Sequence, residues 1–147
     1  MLLFGSIFGS VFRNFKVINI HLGGYFMQKK DYKGRCEKKI LSKNKGVCRT
    51  YNPIQTTYAD ILQSDDNIKE IRCNVFLDGL DEICNKINGE YTSDFICTKV
   101  NGDMMVRECV FRKYITKPMT VKLLDASKSY WQARGVEDWG IIIDAES

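Results

Sequence analysis

The chain has a single histidine, His21, so few arrangements of its residues could support acid-base or nucleophilic catalysis. A Ser-His-Asp group, a Cys-His group or a His-rich zinc site would each have to use this one imidazole. His21 alternates with Ile18, Ile20 and Leu22, a pattern typical of an outward side chain on a short strand. We therefore assign no catalytic residue to histidine chemistry.

Six cysteines could supply metal ligands or three disulfides. They are Cys36, Cys48, Cys73, Cys84, Cys97 and Cys109. Their wide spacing contains no Cys-x-x-Cys pair, so we predict no metal ligand. Cys73 alternates with apolar residues and Cys84 follows Ile83 on a predicted helix, which favours reduced, buried thiols. We therefore expect an intracellular, reducing compartment, with a disulfide framework as the alternative.

No phosphate-binding loop is present, because both Gly-x-x-x-x-Gly-Lys-Ser/Thr and Gly-x-Gly-x-x-Gly are missing from the sequence. Two acidic sets could hold a magnesium ion: Asp78 with Asp81 and Glu82, and Asp94 with Glu108. The first is better explained by helix capping and the helix dipole, and the second lacks the lysine that usually follows in nucleases. We expect no cofactor and favour a non-enzymatic protein.

The strongest signal for a binding partner is a basic arm at residues 27–52. Residues 1–50 carry 11 Lys and Arg against 2 Asp and Glu, a net charge of +9, whereas residues 51–147 carry a net charge of −5. Such a density of cations favours a polyanion or an acidic surface as the partner. The aromatic residues in or beside the run are Tyr25, Phe26, Tyr32 and Tyr51. The alternative is a solvated loop against the acidic remainder of the domain. The predicted contacts are Lys29, Lys30, Lys33, Arg35, Lys38, Lys39, Lys43, Lys45 and Arg49.

Residues 1–26 form an apolar N-terminal segment in which Phe4, Phe8 and Phe12 repeat at four-residue spacing. Its uncharged run, residues 1–12, is too short for a transmembrane span, which needs about 20 apolar residues, and Arg13 and Lys16 interrupt it. We expect a helix buried in the core or against a partner, and an interfacial membrane helix is the alternative. Met27 would also make an ordinary start, so residues 1–26 could be an upstream extension.

The remaining sequence predicts helices and strands in regular alternation. Asn52 followed by Pro53 starts a helix over 53–63, because these residues suit the cap and first turn. Alternation predicts a strand at 71–77, and the apolar run at 141–143 predicts a buried strand at 139–144. Helical spacing predicts helices at 80–87 and 119–134, and a strand at 120–124 is the alternative within the second.

A hairpin is predicted around Asn101-Gly102-Asp103. We favour a three-residue loop that pairs residues whose numbers sum to 204. This register places Val106 inward and Arg107 outward, so Arg107→Asp should cost less than about 1 kcal/mol.

The order from residue 68 is strand, helix, strand, strand, helix, strand, the order of the ferredoxin-like split βαβ fold. We predict one α+β domain over 53–147, with a four-stranded antiparallel sheet and two helices. The apolar segment, the basic arm and one extra helix precede them. The composition, 44% hydrophobic and 27% charged, supports a globular domain.

Two short segments resemble the strand motifs of the RNA-recognition motif family. Val75-Phe76-Leu77-Asp78-Gly79-Leu80 resembles its first-strand motif, with Phe76 in the aromatic place. Residues 107–114 keep a leading basic residue, Phe111 and Tyr114 of the third-strand motif, but lack its glycines and second aromatic. The resemblance implies that Phe76 and Phe111 stack on bases. The alternative is that the N-terminal helix covers both rings.

Two functions follow as hypotheses. The first is a small non-enzymatic module that binds single-stranded nucleic acid, RNA or single-stranded DNA, through the basic arm. The second is a protein-binding inhibitor or accessory subunit of a larger assembly, with the apolar N-terminus at the interface. An enzyme ranks third.

Overall fold

A computed structural model describes residues 2–3, 15–22, 36–87 and 89–145. Its strands are β1 Leu2–Leu3, β2 Lys16–Ile20, β3 Glu37–Ile40, β4 Val47–Thr50, β5 Ile68–Phe76, β6 Thr92–Lys99, β7 Met104–Cys109 and β8 Asp138–Asp144. Its helices are α1 Pro53–Ser64, α2 Asp81–Ile87 and α3 Pro118–Ala133, with a 3₁₀ turn at Arg112–Tyr114. The predicted helices at 53–63, 80–87 and 119–134 are confirmed to within two residues.

The ferredoxin-like prediction is wrong. Within the described residues, the main sheet is mixed and has the order β1-β2-β8-β7-β6-β5, in which β1 contributes only two residues. Strand β8 runs parallel to both β7 and β2, while β5, β6 and β7 are antiparallel neighbours. Strands β3 and β4 form a separate two-stranded sheet. The fold is therefore α+β with parallel pairs, not a four-stranded antiparallel sheet.

The position of β8 explains why the predicted topology is wrong. Ile141, Ile142 and Ile143 are all fully buried, so this strand is covered on both faces, as central strands with parallel neighbours usually are. Strand β2 supplies the second neighbour, with Val17 opposite Ile141. The ferredoxin-like prediction counted only strands from residue 68 onward, so β2 had no place in the predicted sheet.

Both faces of the main sheet are covered. On one, the α1 face, Tyr58 and Leu62 of α1 pack with Phe95 of β6, and the Tyr58 and Phe95 rings meet edge to face at 5.7 Å. On the other, the α3 face, Leu124 and Trp131 of α3 pack with apolar residues of the central strands. A side chain that alternation would place outward can therefore still be buried.

The β6–β7 hairpin shows this directly. Its loop has three residues, as predicted, but these are Val100-Asn101-Gly102. The numbers of paired residues sum to 202, as for Ile96 opposite Val106. The predicted register, in which paired residue numbers sum to 204, is therefore wrong. Because the pairing is shifted by two residues and side chains alternate with a period of two, Val106 still faces inward, as predicted. Arg107 is only 4% exposed, so its outward assignment is wrong.

The cysteine prediction is also wrong. Cys48 of β4 and Cys73 of β5 form a disulfide with a Cα–Cα distance of 5.9 Å, whereas Cys36, Cys84, Cys97 and Cys109 are free. Disulfides persist in oxidising compartments. The bond points to an oxidising environment and overturns the predicted reducing, intracellular location.

The N-terminal prediction is tested only in part. Residues 2–3 and 16–20 are strands that pair with each other, whereas residues 4–14, where most of the predicted helix lies, are outside the described residues. His21 is exposed just after β2. Among the described helices, none is both long and apolar enough to cross a bilayer.

Candidate nucleic-acid interface

The described part of the basic arm folds as the β3–β4 hairpin. Lys38 lies opposite Arg49, and Ile40 lies opposite Val47. Because side chains alternate along a strand, these four residues share one face, which points to solvent. Tyr51 follows β4 and is 50% exposed, and Ile40, at the other end of β3, is 89% exposed. This set, Lys38, Ile40, Val47, Arg49 and Tyr51, is called the outward hairpin face below.

The opposite face of the hairpin anchors it to the domain. Leu41 and Cys48 are buried in the core under α1. The Thr50 and Thr56 hydroxyls are 2.7 Å apart and join β4 to α1. The buried anchors leave the outward hairpin face as the side available to a partner.

The edge strand β5 fixes the hairpin from the side. The Ile71 amide donates to the Lys43 carbonyl at 2.9 Å, and the Cys48–Cys73 disulfide crosses between the two sheets. Asn74 has a left-handed φ of +54° and donates from Nδ2 to the Arg49 carbonyl at 2.8 Å. Asparagine tolerates this region better than most residues. The hairpin is therefore held in one position on the sheet.

The structure divides the nine predicted cationic contacts into three groups. Two are used inside the protein: Lys39 Nζ pairs with Asp60 at 2.8 Å, and Lys43 Nζ donates to the Asp65 carbonyl at 2.6 Å. Three are exposed, namely Lys38, Lys45 and Arg49. The other four, Lys29, Lys30, Lys33 and Arg35, lie outside the described residues.

A groove of about 290 Å³ lies between the hairpin and β5. Its lining contains two cations, Lys45 and Arg49, and no acidic residue. A second groove, about 280 Å³, is lined by Lys99 together with Asp103, Glu137 and Asp138, so its lining carries a net negative charge. Of these two grooves in the described part of the chain, the first suits an anion. The full lining of the first is Asn44, Lys45, Val47, Arg49, Tyr51, Cys73 and Asn74.

The two predicted stacking rings do not form the arrangement that the RNA-recognition resemblance implies. Strand β6 lies between β5 and β7, so the strands that should carry Phe76 and Phe111 are not neighbours. Phe76 is 49% exposed at the end of β5. Phe111 lies beyond the end of β7 and packs against the α1-face core and, edge to face, against Tyr114. Neither ring lines the groove.

The second acidic set, Asp94 and Glu108, does lie together, but protein donors occupy the carboxylate oxygens of both residues. Asp94 accepts hydrogen bonds from Gln55 Nε2 at 2.9 Å and from the Cys109 amide at 2.7 Å. Glu108 accepts from the Ser93 hydroxyl at 2.7 Å, the Ser127 hydroxyl and the Asp94 amide. No group of three or more His, Cys, Asp or Glu in the described residues is placed to hold a metal ion.

Burial controls the ionisation of this acid pair. Desolvation raises the pKa of Asp94 well above its usual value, and the nearby Glu108 charge raises it further. Desolvation also raises the pKa of Glu108, although the two serine hydroxyls and the Asp94 amide oppose this. The pair is a buried structural network that joins α1, α3 and the sheet.

Sequence reasoning missed the hairpin and the role of Asn44 and Asn74. A signal for the turn was present, because Asn44-Lys45-Gly46 separates two short runs and Gly46 adopts a φ of +81° that favours glycine. Asn74 carried no such signal, because its contact with β4 is a tertiary one. No known protein family matches the chain, and no curated protein is significantly similar to it.

Proposed function

We propose that the protein is a non-enzymatic module that binds single-stranded RNA or DNA through the outward hairpin face. The observation that carries the proposal is the cross-strand pair of Lys38 and Arg49, exposed on one face with Tyr51 beside them. Lys45 adds a third exposed cation at the turn. Cations that track a phosphate backbone beside an aromatic ring are the usual elements of single-strand binding.

The number of exposed cations sets the expected strength of the electrostatic part. Three phosphate contacts, from Lys38, Lys45 and Arg49, would give a slope of log K against log salt of about −2, at roughly −0.7 per phosphate. Lys39 and Lys43 should contribute little, since acidic and carbonyl oxygens of the protein already hold their ammonium groups.

A second candidate is binding to an acidic protein. The exposed apolar pair, Ile40 at 89% and Val47 at 44%, favours it because such a pair gains from burial against another protein. The same face would be used, so the two candidates differ in the partner and not in the site.

Fluorescence anisotropy with labelled oligo-dT and oligo-U, in buffer free of reductant, tests the proposal. We expect Lys38→Glu/Arg49→Glu to weaken binding by roughly tenfold or more at low salt. The control is Lys69→Glu/Lys122→Glu, which makes the same change in net charge at exposed positions on β5 and α3. Equal losses from both double variants would reject the hairpin face as the site. No binding of either oligonucleotide at low salt would reject the function and leave the protein-binding module.

A further inference from the structure

We infer that the groove between the hairpin and β5 is a subsite for one unstacked nucleobase, with Tyr51 as its stacking surface. The inference rests on the proposed function and specifies its ligand. Binding of a base in this groove would let the protein distinguish a nucleic acid from other polyanions, which phosphate contacts alone cannot do.

The walls of the groove are fixed before a ligand arrives. One wall is β4 and the other is the edge of β5, and the Cys48–Cys73 disulfide ties them together, with Cys73 itself in the lining. The side-chain amide of Asn74 donates to the Arg49 carbonyl and links the same two strands. At the turn, the Asn44 amide N–H donates to the Leu41 carbonyl at 3.0 Å. A preformed site loses little conformational entropy on binding.

The chemistry of the lining suits a base more than a phosphate alone. Tyr51 offers an exposed ring, and stacking on an aromatic ring is tolerant of base identity because every base has a π face. Arg49 and Lys45 supply positive charge for the phosphates on either side of that base. The lining holds no acid that would repel them.

Two carboxamides can contact the edge of the base. Asn74 Nδ2 donates to the Arg49 carbonyl and Asn44 Nδ2 to the Gly46 carbonyl at 3.3 Å. A carboxamide carries two N–H donors and a carbonyl acceptor, so each side chain has groups beyond this one bond. Asparagine is suited to paired donor and acceptor contacts with base edges. The groove should therefore prefer some bases over others.

The test compares oligo-dT with an abasic oligonucleotide of the same length and charge, by anisotropy with the full chain. We expect the wild type to bind oligo-dT more tightly by about 5- to 100-fold, the range of one stacked base. Tyr51→Ala should abolish this preference without weakening the abasic oligonucleotide, whereas Tyr51→Phe should keep it. Asn74→Gly, which suits the left-handed backbone, should reduce differences among oligo-dT, oligo-dA and oligo-dC.

The outcomes distinguish a failure of the base subsite from a failure of nucleic-acid binding by the hairpin. If the wild type binds both oligonucleotides equally and Lys38→Glu/Arg49→Glu weakens both, the hairpin binds nucleic acid but the groove holds no base, and the inference is overturned. A preference for bases that persists in Tyr51→Ala would also overturn it. Loss of the preference in Tyr51→Ala and its retention in Tyr51→Phe would support it.

Discussion

The backbone amide of Asp94 donates to the Glu108 carboxylate, and the Asp94 carboxylate accepts in turn from the amide that follows Glu108, at Cys109. Side chains thus take the place of backbone bonds where the β6–β7 ladder ends, since regular pairing stops at Phe95 opposite Arg107. On β5, Asn74 breaks the pairing directly across from Asp94. Glu108, which is buried, and Asp94, which is half-buried, therefore lie side by side where the pairing of β5, β6 and β7 is irregular.

This acid pair should make the protein less stable as the pH rises. The pKa of each acid is higher in the folded chain than in the unfolded chain, so the folded state holds its proton more tightly. The stabilising contribution is complete below the unfolded values near 4 and is lost as the pH rises through the raised pKa values. Urea unfolding between pH 5 and pH 9 should show the free energy of unfolding falling.

Asp94→Asn removes one of the two titrating groups and should flatten this dependence. The control is Asp125→Asn, which changes an exposed acid of α3 and should keep the wild-type slope. Parallel curves for the wild type and Asp94→Asn would show that the acid pair does not govern the pH dependence.

Asp138 should produce the opposite dependence at acid pH. Its carboxylate lies 2.7 Å from both Lys16 Nζ and Lys99 Nζ and 2.8 Å from the Arg107 guanidinium. Partial burial alone would raise its pKa, but the hydrogen bonds from the two lysines and Arg107 hold that pKa well below its usual range. Its stabilising contribution is therefore present above the unfolded pKa near 4 and is lost as the pH falls below it.

We expect Asp138→Asn to lower the free energy of unfolding at pH 7 by about 3 kcal/mol, because it leaves the buried Arg107 guanidinium without its carboxylate. The same substitution should reduce the loss of stability between pH 4.5 and pH 2.5. Urea unfolding at pH 7, 4.5 and 2.5 measures both effects. A variant as acid-sensitive as the wild type would contradict the assignment.

The disulfide can be tested by counting thiols. Alkylation of the denatured protein without reductant should modify four of the six cysteines, and reduction should expose all six. Cys48→Ser/Cys73→Ser should lower the free energy of unfolding by roughly 3 kcal/mol, the range for a crosslink that closes a loop of this size. Cys36→Ser, a free cysteine, is the control. Six modified thiols without reductant would restore the reduced-cysteine interpretation.

Local signals in the sequence predicted the helices well, because those signals act within a few residues. Asn52 caps α1 by accepting from the Gln55 amide at 2.9 Å, and Pro53 takes the first turn, as the sequence indicated. The same locality explains the candidate site: the charge run predicted exposed Lys38, Lys45 and Arg49, but not that Lys39 and Lys43 would contact α1 and the turn after it.

Strand order and cysteine pairing could not be predicted in this way. The insertion of β2 beside β8 joins residues more than 120 positions apart, as in Val17 opposite Ile141, and no local pattern encodes it. The disulfide depends on the hairpin docking at the edge of β5, which brings Cys48 to Cys73. Until that docking is known, a cysteine at a strand position cannot be distinguished from a small buried apolar residue.

The β6–β7 loop offers a test of the corrected register. Gly102 is the last residue of the three-residue loop and has a φ of +94°, a left-handed conformation that costs a residue with a Cβ about 1 to 2 kcal/mol. An added methyl group would meet no atom within 4 Å there or at Gly89, so steric space does not distinguish the two sites.

We expect Gly102→Ala to lower the free energy of unfolding by about 1 kcal/mol or more. Gly89→Ala, at a glycine without a positive φ, should leave the free energy of unfolding nearly unchanged. Urea unfolding of both variants measures the difference. Equal effects would show that the loop does not require glycine at this position and that the register must be placed elsewhere.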